Sequence, residues 1–126
     1  MKSSKSAKER FLAEHQRKGE RYAGLILGKD GEPDYHLFML PGESESANRE
    51  ESKKWAASIG GELPTRRELS LLHTNLEELF KSAWYWSCEQ HAANSDYTWI
   101  QSFGSGCHGY SEGSKLRAVA VRRVVI

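Results

Sequence analysis

The segment Ala83-Trp84-Tyr85-Trp86-Ser87-Cys88-Glu89 has the composition and the two-residue period of a β-strand and is the strongest indication of the fold. The side chains of such a strand divide into one face with Trp84, Trp86 and Cys88 and another with Tyr85 and Ser87. A tryptophan buries about 150–250 Å² when it is packed, so this segment is expected to form part of the core. The alternative is an exposed platform for stacking or sugar binding.

Two later stretches are also predicted to form strands. Residues 97–103 alternate in the same way, and the valine-rich residues 116–126 are apolar on both faces at their centre. This tail is predicted to be one central strand, lying beside the tryptophan-rich strand as an interior scaffold. Between the two stretches, Gly104-Ser105-Gly106-Cys107-His108-Gly109 is rich in glycine and is predicted to be only a loop.

Capping boxes predict helices further upstream. In such a box a Ser, Thr or Asn side chain accepts from the amide three residues later, and a Glu at that position returns the bond. Boxes begin at Ser6, Asn48, Thr65 and Thr74. They predict helices over residues 7–18 and 48–58 and a broken pair of helical turns after residue 65. Residues 22–27 and 35–40 are β-rich and flank a polar loop, which predicts a hairpin.

Length and composition predict a single folded domain. The chain has 126 residues, of which 38% are hydrophobic and 28% charged, enough for one core without disulfides or metals. Neither a membrane span nor a secretory signal is recognised, so the protein is expected in the cytoplasm. The elements together predict an α+β fold. A basic N-terminal helix or arm would occupy residues 1–20, and residues 21–126 would form a domain with a small antiparallel sheet and two or three short helices.

Charge is unevenly distributed, although the formal net charge is only +1. Residues 2–21 are mainly basic, residues 30–51 are mainly acidic, and the charged residues of 115–123 are all basic. Near-neutrality argues against a dedicated nucleic-acid-binding protein, and the opposite charges are expected to neutralise one another within the fold or across a dimer. Contact of the basic head with nucleic acid is one alternative. A homodimer that docks Phe11 and Leu12 of the head on a second copy is another.

Four stretches together resemble a known family. They are Gly61-Glu62-Leu63-Pro64-Thr65-Arg66-Arg67-Glu68-Leu69, Ala83-Trp84-Tyr85-Trp86-Ser87, Tyr97-Thr98-Trp99 and Arg117-Ala118-Val119-Ala120-Val121-Arg122-Arg123. This combination resembles a family of bacterial and prophage proteins, mostly of unknown function, that shares its domain with the C-terminal part of a bacterial collagen-like adhesin. That domain looks like a short relative of the C-type-lectin-like fold. The resemblance covers about residues 22–125 and implies a fold more than an activity.

Metal and cofactor chemistry has little support in the sequence. Lectin-like folds suggest calcium and carbohydrate, but Asp30, Glu32 and Asp34 lack the remaining ligands of a calcium loop. Zinc-type ligands are present in Cys88, His91, Cys107 and His108, at a spacing that fits no standard zinc site. Free thiols or a disulfide between the two cysteines are the alternatives. We therefore predict no cofactor and no metal site.

The sequence contains none of the common catalytic motifs, so no catalytic residue is predicted and the protein is expected not to be an enzyme. Loops on a rigid sheet often carry binding residues, and the connections here contain Asn94, Tyr97, His108 and Tyr110. These four are the predicted partner-binding residues of a non-catalytic protein-binding module.

The family resemblance extends this prediction to the kind of partner. It implies a phage or prophage protein that acts on a host protein in the host cytoplasm, for example as an inhibitor of a host defence system. A phage protein is the other partner considered. The alternative functions are a receptor-binding domain of the virion and a carbohydrate-binding, lectin-like domain.

Overall fold

A computed structural model describes residues 6–91, 93–111 and 114–126, without the side chains of residues 91 and 94–96. Its helices are α1 (Ala7–His15), α2 (Arg49–Ser58) and α3 (Arg66–Leu76), and a 3-10 turn (Glu77–Leu79) follows α3. Its strands are β1 (Arg21–Ile26), β2 (Tyr35–Met39), β3 (Ser44–Ala47), β4 (Trp84–His91), β5 (Asn94–Ser102), β6 (His108–Ser111), β7 (Leu116–Ala118) and β8 (Val121–Val125).

The strands form two sheets, with orders β1-β2-β8 and β3-β7-β4-β5-β6. Their pairings are antiparallel except for the parallel contact of β4 with β7. Helix α3 contacts β1 of the smaller sheet and both β4 and β5 of the larger one, so it joins the two sheets. The predicted α+β class is therefore confirmed. Among the helices described, none combines the length and the apolar character that a membrane crossing requires.

Three of the four predicted capping boxes are confirmed. Ser6, Asn48 and Thr65 each accept from the amide three residues later, and the glutamate there bonds back to the cap. The fourth box is wrong, because the hydroxyl of Thr74 donates to the carbonyl of Ser70 inside α3. Helix α3 consequently continues without a break to Leu76 before it tightens into the 3-10 turn.

The prediction that Trp84, Trp86 and Cys88 form one buried face of β4 is only partly right. Trp86 is fully buried, and its indole N–H donates to the carbonyl of Ala47 at 2.9 Å. Trp84 and Cys88 are exposed, whereas Tyr85 and Ser87 are fully buried. Both faces of β4 are covered at Tyr85 and Trp86, and an irregularity in its pairing with β5 after Trp86 interrupts the simple alternation.

Two other strand predictions need correction. The glycine-rich segment is not only a loop, since β6 begins within it at His108 and pairs with β5. The tail is not one strand but two: β7 belongs to the larger sheet and β8 to the edge of the smaller one. Val119 and Ala120 cross between the sheets in the core, where the Ala120 carbonyl accepts from the Leu40 amide at 2.9 Å. The change of sheet explains why the tail is apolar on both faces.

Arginines of the tail form ion pairs with glutamates from distant parts of the chain. Arg122 binds both carboxylate oxygens of the buried Glu20 at 2.7 and 2.9 Å. Arg117 pairs with Glu43, whose other oxygen accepts from the Tyr85 hydroxyl at 3.0 Å. Part of the uneven charge along the sequence is therefore neutralised within the fold, as expected.

The basic head folds back on the smaller sheet. Helix α1 ends at His15, three residues earlier than predicted, because the Arg17 amide donates to the Glu20 carboxylate and the chain turns at Gly19, where φ is +82°. The ring of Phe11 lies 3.9 Å from the ring of His36 on β2. The helix is thus docked on its own sheet by the aromatic contacts of Phe11 in its middle and by the Glu20 turn at its end.

Candidate functional site

The structure brings most of the predicted binding residues onto one face of β5 and β6. Tyr97 on β5 contacts Tyr110 on β6 edge-to-face, with 5.3 Å between ring centroids. Trp99 is paired in register with Tyr110 and packs against it at 6.0 Å. We call Tyr97, Trp99 and Tyr110 the aromatic ribbon. His108 lies two residues from Tyr110 on the same strand face, whereas the side chain of Asn94 is outside the described residues.

The aromatic ribbon continues onto α3 through Arg66. The guanidinium carbon of Arg66 lies 3.6 Å from the ring centroid of Trp99, which is a close cation–π stack. The backbone N–H of Arg66 donates to the Glu89 carboxylate at 2.7 Å and so ties the start of α3 to the end of β4. Sequence reasoning missed Arg66 and Trp99 as site residues. One signal was available, since arginines in the first turn of a helix oppose its dipole and so suggest another role.

A groove of about 550 Å³ opens beside this stack. Its polar lining includes Arg66, Arg67, Ser70, Glu89 and His108, and its apolar lining includes Leu25 of β1, Leu27 just after that strand and Leu71 of α3. The guanidinium of Arg67 also donates to the carbonyl of Leu27 at 2.7 Å.

His108 belongs to a polar network at the groove wall. Its Nε2 lies 3.2 Å from both the Ser70 hydroxyl and the Gln101 side-chain oxygen. Partial burial, together with the positive charge of Arg66, lowers the pKa of His108. The imidazole is therefore neutral at pH 7 and acts at this site as a positioned hydrogen-bonding group.

Arg66 and Arg67 differ from the arginines of the tail in their charge environment. Arg117, Arg122 and Arg123 each have a glutamate partner within 4.0 Å. Within the described part of the chain, the guanidinium groups of Arg66 and Arg67 have none. The groove therefore contains two guanidinium groups without a direct carboxylate partner among the described residues, and the carboxylate of Glu89 in its lining is bound to the Arg66 backbone amide.

The remaining chemical candidates have structural explanations. Asp34 accepts from the Gly28 amide at 2.7 Å and so closes the loop of the first hairpin. Cys88 and Cys107 are both exposed free thiols. Among the side chains that the structure describes, which do not include that of His91, no group of three or more His, Cys, Asp or Glu is arranged to hold a metal ion.

Comparison of the chain with protein-family models, with curated proteins and with solved structures finds no match. The class defined by the fold and the site is a small α+β domain that carries an aromatic ribbon beside an arginine-lined groove. The C-type-lectin-like resemblance stays a prediction.

Proposed function

We propose that this chain is a non-catalytic module that binds a segment of a partner protein across the aromatic ribbon and the groove. The observation that carries the proposal is the Arg66–Trp99 stack, which joins the two into one surface. Tyr, Trp and Arg are the residues most enriched among energetically dominant contacts of protein interfaces. Tyr110 is 55% exposed and stands at the outer end of this surface, where a partner would bury it.

The polar network at His108 supports a binding role over a catalytic one. Ser70 and His108 are close enough to suggest a nucleophile and its base. However, the side-chain oxygen of Gln101 is an acceptor 3.2 Å from the same Nε2, so we assign the proton to that nitrogen. A protonated Nε2 cannot take the proton of Ser70. The contacts of this nitrogen with Ser70 and Gln101 then serve to orient the His108 ring.

The origin and the partner class come from the family resemblance. We propose a phage or prophage protein with a C-type-lectin-like fold that acts on a host protein in the cytoplasm, for example to inhibit a host defence system. The fold assignment is supported by the two mostly antiparallel sheets with three helices. It is also supported by the burial of Leu63, Leu69 and Trp86 from the shared motifs.

Affinity capture with matched variants tests the proposed surface. The wild-type chain is used as bait in a lysate of the bacterial host, beside Tyr110→Ala, His108→Ala and the control Ile59→Ala. Ile59 is an exposed apolar residue outside the groove, at the end of α2. We expect wild type and Ile59→Ala to retain the same protein, and the other two variants to lose it. Equal capture by all four baits would contradict the proposal.

Carbohydrate binding is the second candidate, because an exposed tyrosine beside a tryptophan is a surface on which a sugar ring can stack. One face of Trp99 is already covered by the Arg66 guanidinium, which favours the protein partner. A glycan array, read with and without calcium, separates the two. Binding that Tyr110→Ala abolishes would favour the lectin function, which could serve receptor binding on a virion.

A further inference from the structure

We propose that the bound partner segment is acidic, and that one of its carboxylates binds to Arg66 and Arg67 at the groove while an adjacent apolar side chain covers Leu25 and Leu27. This inference rests on the proposed function and adds the chemistry of the partner. It predicts that the bound segment carries negative charge.

Unmatched positive charge is the first argument. Arg66 and Arg67 are consecutive residues in the first turn of α3, where the helix dipole disfavours cations. Neither guanidinium has a carboxylate within 4.0 Å among the described residues, whereas the three tail arginines are all paired. A partner carboxylate would supply a direct counterion to these two guanidinium groups.

The fixed orientation of Arg66 is the second argument. Stacking on Trp99 occupies a face of the planar guanidinium and leaves its N–H donors, which lie in the plane, for a ligand. The Nε atom is screened from solvent, so a ligand would reach the guanidinium through its terminal amino groups. A positioned guanidinium with unused donors matches the geometry of a carboxylate, which it can bind through two parallel hydrogen bonds.

The residues beside Arg66 and Arg67 also fit a partner segment that carries an acidic and an apolar side chain. Glu89 is the acidic residue of the groove, and one of its oxygens is already bound to the Arg66 backbone amide. Leu25 and Leu27 are 41% and 60% exposed, which is unusual for leucines and leaves apolar area for a partner side chain. The surface therefore fits an extended segment in which Asp or Glu stands next to a large apolar residue.

Selection from a random dodecamer peptide library, displayed against the immobilised full chain, tests the proposal. We expect the selected peptides to be enriched in Asp or Glu beside an apolar residue. The Kd of a selected peptide should rise about tenfold or more in Arg66→Gln and in Arg67→Gln. It should stay unchanged in Lys54→Gln, which removes one exposed charge from α2. Replacing the acidic residue of the peptide with Asn or Gln should weaken binding to wild type equally.

Other outcomes separate this inference from the proposed function. Neutral or basic peptides that need Tyr110 but bind the arginine variants as tightly as wild type would overturn the acidic partner and leave the binding surface standing. Displacement of the acidic peptide by equimolar inorganic phosphate or a single-stranded oligonucleotide would show that the arginines prefer phosphate, and would also overturn it. Failure of any peptide to be selected, or selection unaffected by Tyr110→Ala, would count against both proposals. Circular dichroism of each variant establishes that it is folded.

Discussion

The carboxylate of Glu68 accepts two hydrogen bonds from the guanidinium of Arg123, at 2.6 and 2.8 Å, across 55 residues of sequence. Glu68 is fully buried, closes the capping box of α3 and also accepts from the Tyr35 hydroxyl at 2.5 Å. One side chain therefore starts the helix and joins it to the first hairpin and the last strand. The groove residues Arg66 and Arg67 stand in the same turn, so their placement depends on this contact.

Removing the charge of Glu68 should destabilise the protein strongly. Glu68→Gln keeps the volume but leaves Arg123 without its buried counterion, and we expect a loss of about 3 kcal/mol in the free energy of unfolding. The matched control is Glu62→Gln, since Glu62 is the exposed partner of the same arginine and should contribute about 0–1 kcal/mol. Urea unfolding followed by circular dichroism measures both. Equal losses would mean that burial does not distinguish the two glutamates.

The contact between Glu68 and Arg123 should also make the free energy of unfolding depend on pH in the acidic range. Burial alone would raise the pKa of Glu68, but hydrogen bonds from Arg123 and Tyr35 outweigh it and hold the pKa below the ordinary 4.5. A lowered carboxylate pKa stabilises the fold above the unfolded-state value and loses that contribution as pH falls through the folded-state value. We therefore expect the free energy of unfolding to decline below about pH 4.5. The decline should be shallower in Glu68→Gln, and an identical slope in both proteins would contradict this account.

The two tryptophans of β4 should differ in their importance for stability. Trp86→Ala removes a fully buried ring and leaves the Ala47 carbonyl without its donor, so we expect a loss of about 3–5 kcal/mol. Trp84 is 37% exposed and lies over Gly109, and Trp84→Ala should cost about 1–2 kcal/mol. Thermal unfolding of the two variants makes the comparison directly. Similar losses for the two variants would favour the one-faced arrangement expected from simple alternation.

Local signals predicted most of the elements, and non-local contacts account for what was missed. The boxes at Ser6, Asn48 and Thr65 depend on residues three apart, so the sequence contains the whole motif. The exposure of Cys88 depends on pairing irregularities between β4 and β5, which a period of two cannot show. The Arg66–Trp99 stack joins residues that are distant in sequence, so only the fold reveals this contact.

The first hairpin should tolerate no side chain at Gly28. A Cβ there would lie 1.8 Å from the carbonyl oxygen of Glu32, so Gly28→Ala must displace backbone and should cost about 2 kcal/mol or more. Gly104→Ala is the matched control, because its nearest neighbours would be at an ordinary 3.5 Å. Urea unfolding of both variants tests the difference. If Gly28→Ala were as stable as Gly104→Ala, the loop must have a different conformation.

Docking of helix α1 should weaken in mild acid. Burial beneath Phe11, helped by the nearby His15, lowers the pKa of His36 below its ordinary 6.5. The Tyr22 hydroxyl lies 2.8 Å from Nδ1 of the ring, and Lys8 lies over the Tyr22 ring, so no acidic group is among these contacts to favour protonation. A histidine whose pKa is lowered by folding stabilises the docked state fully above about pH 6.5 and loses this contribution below it. The helix has no buried residue of its own and is too short to persist when undocked.

Hydrogen exchange of the α1 amides, corrected for intrinsic rates, measures this docking at pH 7.5 and pH 5.5. We expect protection to be lower at pH 5.5 in wild type and independent of pH in His36→Phe, which keeps an aromatic ring against Phe11 without a titrating group. Phe11→Ala should lose protection at both pH values while the amides of β4 and β5 stay protected. An unchanged pH dependence in His36→Phe would assign the effect to a different group, and His15→Gln would then identify or exclude the remaining histidine at this contact.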